Sequence, residues 1–288
     1  MGGNCLARTV VGAIILQPHE TLMRSLTSLA LLTALVVAAP LAAQTDDGTT
    51  FRWSGPVSAG HFIRLHNMNG DVRVERGTGT TVEVIAERRA RRGDPKTVTF
   101  DVKLRADGDV VICALWGTDM RCTDDGSRGS YRSGNWSRDN QIDVVMRVRV
   151  PDGVKTFARS TNGSVSVDGL TAEVDAGTTN GDVFVRTSGG PVNARTTNGS
   201  VNASLGQLSG SDAMHFTSTN GSVTVFAPPS LSADLEMSTV NGGLTTEFPL
   251  TVSGRFMSRS IRGTLGQGGR SIIVRTTNGD VALKRNAI

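Results

Sequence analysis

The sequence predicts an all-β fold, a single-chain parallel β-solenoid. Three observations predict it: a recurring Asn-Gly motif, aliphatic residues at fixed distances from that motif, and an unusual composition. Of the 288 residues, 34 are glycine and only 5% are aromatic, which favours many tight turns around small side chains. Right-handed coils are expected, because parallel crossover connections have that hand in nearly all proteins.

The Asn-Gly motif anchors a repeat of near-constant length. Counted from Asn162, successive anchors lie 18, 18, 22, 21, 21 and 16 residues apart, with Arg262 taken as a degenerate copy in "SRSIRGTL". The structural-turn asparagines are, in chain order, Asn69 (an outlier), Asn162, Asn180, Asn198, Asn220, Asn241 and Asn278. A period near 20 residues indicates a solenoid, a propeller or an array, and propeller blades need about 40 residues.

Aliphatic residues occupy the same offsets in each repeat. The position three residues after the anchor holds Val72, Val165, Val183, Val201, Val223, Leu244, Leu265 and Val281. Because polar residues separate the apolar ones, each repeat contains two short strands with one apolar face. A single coil cannot bury that face, whereas stacked coils bury it against their neighbours. Ordinary two-residue hairpins are the alternative, but they do not require these aliphatic columns.

The Asn-Gly pair suits the corner of such a coil. Glycine adopts the positive φ that a sharp corner needs. Asparagine tolerates left-handed geometry, and its amide can hydrogen-bond along a stack of equivalent amides.

Residues 1–43 read as a secretory signal peptide. From Met23, which is the alternative start of the protein, one arginine precedes an apolar run and the small residues "APLAAQ". This pattern predicts cleavage after Ala43 and export to the periplasm, the outer surface or the medium. A retained membrane anchor is the alternative, although the apolar run is short for a span.

The exported chain divides into two regions. Residues 44–150 are an irregular β region that caps the solenoid and carries a polar loop at 117–141; a separate β-sandwich is the alternative. Residues 151–288 are regular coils of about 16–22 residues. Removing the signal peptide leaves Cys113 and Cys122 as the only thiols. An even pair of cysteines in an exported chain predicts a disulfide.

The repeats, the "VPDGV" that opens the regular region at Val150 and the exported N-terminus resemble the bacterial "putative adhesin" family, a domain of unknown function. The resemblance covers roughly residues 61–283. It implies a β-helical fold and a cell-envelope or extracellular setting, and it supplies no catalytic residues. We therefore expect a non-enzymatic, adhesin-like scaffold or binding protein.

No catalytic, cofactor or metal motif is recognisable. His61 and His66 lack a carboxylate or cysteine at ligand spacing. A carbohydrate-active enzyme, a polysaccharide lyase or glycosidase, is the alternative function. Such an enzyme would need converging carboxylates. Asp71, Asp182 and Asp280 share one position of the repeat, but serine, glycine or threonine occupies that position in the other copies.

One surface column indicates a partner. Arg159, Arg195, Arg259 and Arg275 stand three residues before their anchors and should point outward from one sheet. Stacked in chain order, they would form two patches separated by a neutral gap and suited to an acidic polysaccharide or envelope surface. Solubilising decoration is the alternative. The net charge of +4 is below that of a dedicated nucleic-acid binder.

Overall fold

The computed structural model describes residues 42–117, 119–123, 126–129, 141–208, 210–252 and 259–286. Nearly all of the predicted signal peptide and much of the polar loop thus lie outside the described residues. The first strands are β1 (Ala43–Asp46), β2 (Thr50–Gly55), β3 (Phe62–His66), β4 (Val72–Arg76), β5 (Val82–Arg92), β6 (Val98–Leu104), β7 (Val110–Trp116), β8 (Arg121–Thr123), β9 (Gly126–Arg128) and β10 (Gln141–Val150). A single 3₁₀ turn, Pro95–Thr97, lies between β5 and β6.

The later strands follow the repeats. They are β11 (Lys155–Asn162), β12 (Val165–Leu170), β13 (Val174–Asn180), β14 (Val183–Thr187), β15 (Val192–Asn198), β16 (Val201–Leu205), β17 (Met214–Thr217), β18 (Val223–Ala227), β19 (Ala233–Ser238), β20 (Leu244–Thr246), β21 (Thr251–Val252), β22 (Ser260–Leu265), β23 (Arg270–Arg275) and β24 (Val281–Arg285). No α-helix occurs in the described ranges.

Two sheets of eleven strands contain all of these strands except β8 and β9, which pair with each other. Sheet A has the spatial order β1-β2-β5-β10-β4-β12-β14-β16-β18-β24-β20. Sheet B has the order β21-β22-β19-β23-β17-β15-β13-β11-β3-β7-β6. From β10 to β20 in sheet A, and from β7 to β19 in sheet B, all pairings are parallel.

Each regular coil is one strand of sheet B, an Asn-Gly corner and one strand of sheet A. In the coil of Asn180, the inward residues Val183 and Val185 are buried, while Phe184 between them is 44% exposed. This alternation follows from the two-residue period of the side chains in a strand. The prediction of an all-β parallel solenoid is therefore confirmed, and the two sheets enclose one continuous apolar core.

The coils are not stacked in chain order. The last coil, β23 and β24, lies between the coil of Asn220 and the coil of Asn241. It gets there because β22 runs antiparallel to β19, and the glycine-rich turn after it crosses the end of β19. In that turn Gly266 and Gly268 have positive φ, and Gln267 donates its backbone N–H to Ser232. The next strand, β23, therefore enters on the far side of β19.

Arg262 was wrongly interpreted as a corner. It lies within β22 and pairs antiparallel with Glu236 of β19, so "SRSIRGTL" is not a coil of the stack. Residues 151–288 are therefore not all regular coils, since β21 and β22 form an antiparallel end of sheet B.

The region before residue 150 continues the same two sheets. Its strands β3 and β4 pair with β11 and β12, so Asn69 occupies a regular corner. The next coil outward is formed by β7 and β10, and β6, β5, β2 and β1 extend the sheets with antiparallel pairings. Cys113 of β7 and Cys122 of β8 form a disulfide with a Cα–Cα distance of 5.6 Å.

The corner asparagines form one continuous ladder. Each side-chain amide donates to the amide oxygen of the preceding corner at 2.7–2.8 Å. In spatial order, the ladder is Asn69, Asn162, Asn180, Asn198, Asn220, Asn278 and Asn241. The glycine that follows is obligatory: Gly181 has φ of 149°, and a Cβ there would lie 2.4 Å from the carbonyl oxygen of Gly163.

A column of buried hydroxyls lies beside the ladder. Thr178, two residues before its corner, is buried and donates from Oγ1 to the carbonyl oxygen of Gly163 in the preceding coil. The same bond, at 2.8–2.9 Å, is made by Ser160, Thr178, Thr196, Ser218, Thr276 and Thr239. These hydroxyls satisfy glycine carbonyls that would otherwise lack a partner inside the stack.

Candidate binding face

The basic column lies on the outer face of sheet B. Strand pairing aligns the residues that stand three positions before each corner. In spatial order, this column is His66, Arg159, Gly177, Arg195, Thr217, Arg275 and Ser238. Its parity is opposite to that of the buried columns, so its members face away from the core.

Arginines occupy alternate coils of this column. Gly177 separates Arg159 from Arg195, and Thr217 separates Arg195 from Arg275. With neighbouring strands about 4.8 Å apart, successive arginine positions are roughly 10 Å apart. The prediction of a neutral gap between two patches is wrong. The insertion of β23 beside β17 brings Arg275 next to Thr217.

Arg259 does not join the series. It is exposed at the turn that precedes β22, and its carbonyl oxygen accepts the backbone N–H of Thr239. Because β22 runs antiparallel to β19, Arg259 is out of register with the column.

Arg159 is fixed in place by its neighbours. Its guanidinium donates to Asp175 Oδ1 at 2.6 Å and to the backbone oxygens of Asp175 and Ala158. It also lies 4.1 Å from the ring centre of Phe157, and its side chain is only 16% exposed. Burial lowers the pKa of Arg159, and the charge of Asp175 opposes that shift. The side chain is thus a positioned cation with limited freedom.

Arg195 is the accessible member of the pair. Its side chain is 59% exposed, and its ion-pair contact with Asp175 is long, at 3.9 Å. A Cβ at Gly177 would lie 3.0 Å from Arg159 Nη1 and 3.0 Å from Arg195 Cγ. The absence of a side chain there leaves a shallow groove of about 380 Å³, lined by Arg159, Ser160, Gly177, Thr178, Thr179, Arg195, Thr196, Thr197 and Thr217.

A second cationic group forms where β22 joins the sheet. Arg275 and Arg262 both donate to Glu236 Oε1, the latter at 3.1 Å. Burial raises the pKa of Glu236, but the hydrogen bonds from the two arginines outweigh it and the net shift is downward. The side chains of Arg262 and Arg275 remain 70% and 47% exposed. Sequence reasoning missed this group because the antiparallel pairing of β22 has no signal in the repeat.

Four arginines therefore face two carboxylates along this surface, namely Arg159, Arg195, Arg275 and Arg262 against Asp175 and Glu236. Among these six side chains the excess charge is positive, and it is spread along the stack rather than focused in a deep pocket. Such a surface can attract an extended polyanion, and salt should screen the attraction.

The corner aspartates have a local role. Asp71 Oδ1, Asp182 Oδ1 and Asp280 Oδ1 accept the backbone N–H groups of Ser164, Ser200 and Gly243 in the adjacent coils at 2.7–3.0 Å. Because other coils separate them, they do not converge. No group of three or more potential metal ligands occurs in the part of the chain that the structure describes. None of the described helical turns has the length and hydropathy of a membrane span.

Comparisons with known proteins identify relatives of this fold. A model of the Toastrack DUF4097 family matches residues 95–284. No curated protein matches the chain.

Two solved structures are similar at low sequence identity. A "putative cell adhesion protein" from Clostridium sporogenes shares 10% identity over 85% of this chain and 100% of its own, with a TM-score of 0.47. A "putative adhesin" from Bacteroides fragilis shares 11% identity over 82% of this chain and 97% of its own, with a TM-score of 0.28.

Proposed function

The chain belongs to the Toastrack DUF4097 family, as its Asn-Gly repeats indicated, and on that premise we propose that it is an exported, non-enzymatic binding protein of the cell envelope. The ligand lies along the outer face of sheet B and is an acidic polysaccharide. The N-terminal pattern of residues 1–43 supports export to the periplasm, the outer surface or the medium.

The opening at Gly177 carries the proposal. It separates a fixed cation, Arg159, from an accessible one, Arg195, and the shallow groove of about 380 Å³ above it lets an anionic group approach both. A guanidinium binds carboxylate in a bidentate manner. Arg275, two coils further on, repeats the spacing of roughly 10 Å, so a chain molecule with regularly spaced charges can contact several arginines.

The expected affinity is modest for each contact. An exposed ion pair contributes about 0.5–1 kcal/mol or less, so tight binding requires several contacts along the polymer. The alternative function, a carbohydrate-active enzyme on the same fold, needs converging carboxylates. The two carboxylates beside the arginine column, Asp175 and Glu236, are instead bonded to arginines in separate coils.

Binding of the exported protein to acidic and neutral polysaccharides at low and moderate ionic strength tests the proposal. The double substitution Arg195→Ser with Arg275→Ser should weaken acidic-polysaccharide binding by roughly fivefold or more, because two exposed contacts are lost. Gly177→Ala should also weaken it without changing the charge, because the added Cβ would lie 3.0 Å from both Arg159 Nη1 and Arg195 Cγ and displace the two arginines.

Arg186→Ser is the matched control. Arg186 is a 72% exposed arginine on sheet A, paired with Asp168, so its loss removes half as much positive charge as the double substitution but leaves the binding face intact. Equal binding of acidic and neutral polymers, or an equal effect of the control, would mean that the arginines only keep the sheet soluble.

A further inference from the structure

All seven Asn-Gly pairs are chemically labile. The backbone nitrogen of a glycine can attack the side-chain carbonyl carbon of the preceding asparagine, and glycine is the residue that hinders this attack least because it has no Cβ. The attack requires the glycine N–H to lose its proton. It also requires the asparagine side-chain amide to rotate away from its position in the ladder. A hydrogen bond on either group therefore slows the reaction.

Six of the seven pairs are protected by the stack. The glycine N–H of each donates to the backbone oxygen of the asparagine in the adjacent coil at 2.7–2.9 Å. These protected glycines are Gly70, Gly163, Gly181, Gly199, Gly221 and Gly279. Their asparagine side-chain oxygens also each accept a ladder bond from the next amide.

The pair Asn241–Gly242 is different because it lies at the end of the ladder. Its coil receives β24 on one side, but no further parallel strand of sheet A covers the other side. Within the described ranges, Gly242 N–H has no acceptor and Asn241 Oδ1 accepts no hydrogen bond. Both residues are exposed, as is the neighbouring Val240 at 52%.

We infer that Asn241 is a site of spontaneous deamidation in the folded protein. The Gly242 nitrogen forms a bond with Asn241 Cγ, the Cγ–Nδ2 bond breaks, and Nδ2 leaves as ammonia with the proton released by Gly242. Water then opens the five-membered succinimide at either carbonyl and yields aspartate or isoaspartate.

The product loosens one end of the solenoid. Aspartate at position 241 has no amide to donate to Asn278 Oδ1, a bond that measures 2.7 Å in the native ladder. It also adds a negative charge two residues before Gly243, whose N–H donates to Asp280 Oδ1. Isoaspartate further lengthens the backbone just before β20, a strand of only three residues. The terminal strand therefore detaches, while the inner coils keep their ladder.

Peptide mapping by mass spectrometry of native protein aged at mildly alkaline pH tests this inference. The six protected pairs react only after local opening, so Asn241 should deamidate faster than any of them by on the order of tenfold or more. The same protein aged in denaturant is the control, and there the seven pairs should react at comparable rates.

A native rate at Asn241 no greater than at the other six would overturn the inference. The variant Asn241→Asp supplies a second measurement, because it should increase hydrogen exchange in β20 while leaving β14 and β16 unchanged. Unchanged exchange in β20 would show that the ladder end does not depend on this amide.

Discussion

At the scale of single residues, each position of the motif has its own hydrogen-bonding task. The residue two before the corner donates from its hydroxyl to a glycine carbonyl of the preceding coil, and the asparagine extends the ladder. In the coil of Asn69, Asn67 takes the hydroxyl position and its amide donates to Gly70 O and Val144 O. The residue between them, Thr197 in the coil of Asn198, is exposed. The two adjacent threonines of one motif therefore contribute unequally to the stability of the stack.

This inequality can be measured with Thr196→Val and Thr197→Val. The first leaves the carbonyl oxygen of Gly181 without its 2.9 Å donor inside the stack, which should lower the free energy of unfolding by about 1–3 kcal/mol. The second changes an exposed side chain, with an expected effect below about 0.5 kcal/mol. Denaturant unfolding of the two variants should separate them, and equal midpoints would contradict the assigned orientation.

At the scale of secondary structure elements, the start of sheet A depends on one ion pair. Arg88 of β5, with a side chain only 2% exposed, donates to both carboxylate oxygens of Asp46 in β1, at 2.8 and 2.6 Å. It also donates to Val98 O and lies 4.6 Å from the ring centre of Phe100. Arg88 therefore attaches the edge strand β1 to β5 and β6. Predicted cleavage after Ala43 would retain Asp46 in the exported chain.

The attachment of β1 should depend on pH. The hydrogen bonds from Arg88 hold the pKa of Asp46 below its ordinary value of 3.8, against the opposing effect of burial. A carboxyl with a lowered folded-state pKa stabilises the fold above its ordinary pKa, and this contribution is lost as pH falls through the lower, folded-state value. Asp46→Asn should therefore destabilise at neutral pH, and its difference from the wild type should shrink below about pH 4.

We expect Asp46→Asn to cost about 1–2 kcal/mol at neutral pH, because solvent at the partly exposed carboxylate screens the pair. Asp168→Asn is the matched control. Asp168 makes the same two-bond contact with Arg186, at 2.6 and 2.7 Å, but both side chains are largely exposed, so its cost should stay below about 0.5 kcal/mol. Thermal unfolding across pH measures the cost of each substitution. Equal costs for the two variants would contradict this account.

At the scale of the whole molecule, the order of the coils differs from the order of the chain. The C-terminal coil completes the interior of the stack, between the coils of Asn220 and Asn241. The ladder is continuous only in this order. It also places Arg275 at the regular spacing of the basic column.

Engineered disulfides can distinguish the two orders. Thr224 and Ala282 face outward from sheet A and are direct partners on β18 and β24, whereas Ala282 in turn separates Thr224 from Thr245. Cysteines at 224 and 282 should cross-link under oxidation, because neighbouring strands lie about 4.8 Å apart. Cysteines at 224 and 245 should not, because two strand spacings exceed the reach of roughly 7 Å between the Cα atoms of a disulfide. The reverse result would indicate stacking in chain order.

The sequence by itself determined the all-β class, the coil, the inward and outward columns and the family, because these depend on local periodicity. Sequence reasoning missed the hydroxyl bond, although its signal is there, a Ser or Thr two residues before six of the seven corners. Only the tertiary structure decided which coils are neighbours. Every coil presents apolar residues at the same offsets to its neighbours, so the repeat alone cannot rank the pairings. The antiparallel β22 and the turn at Gly266–Gly269, which have no counterpart in the repeat, direct the last coil inward. Because of that insertion, Arg275 continues the basic column and Asn241 lies at the end of the ladder.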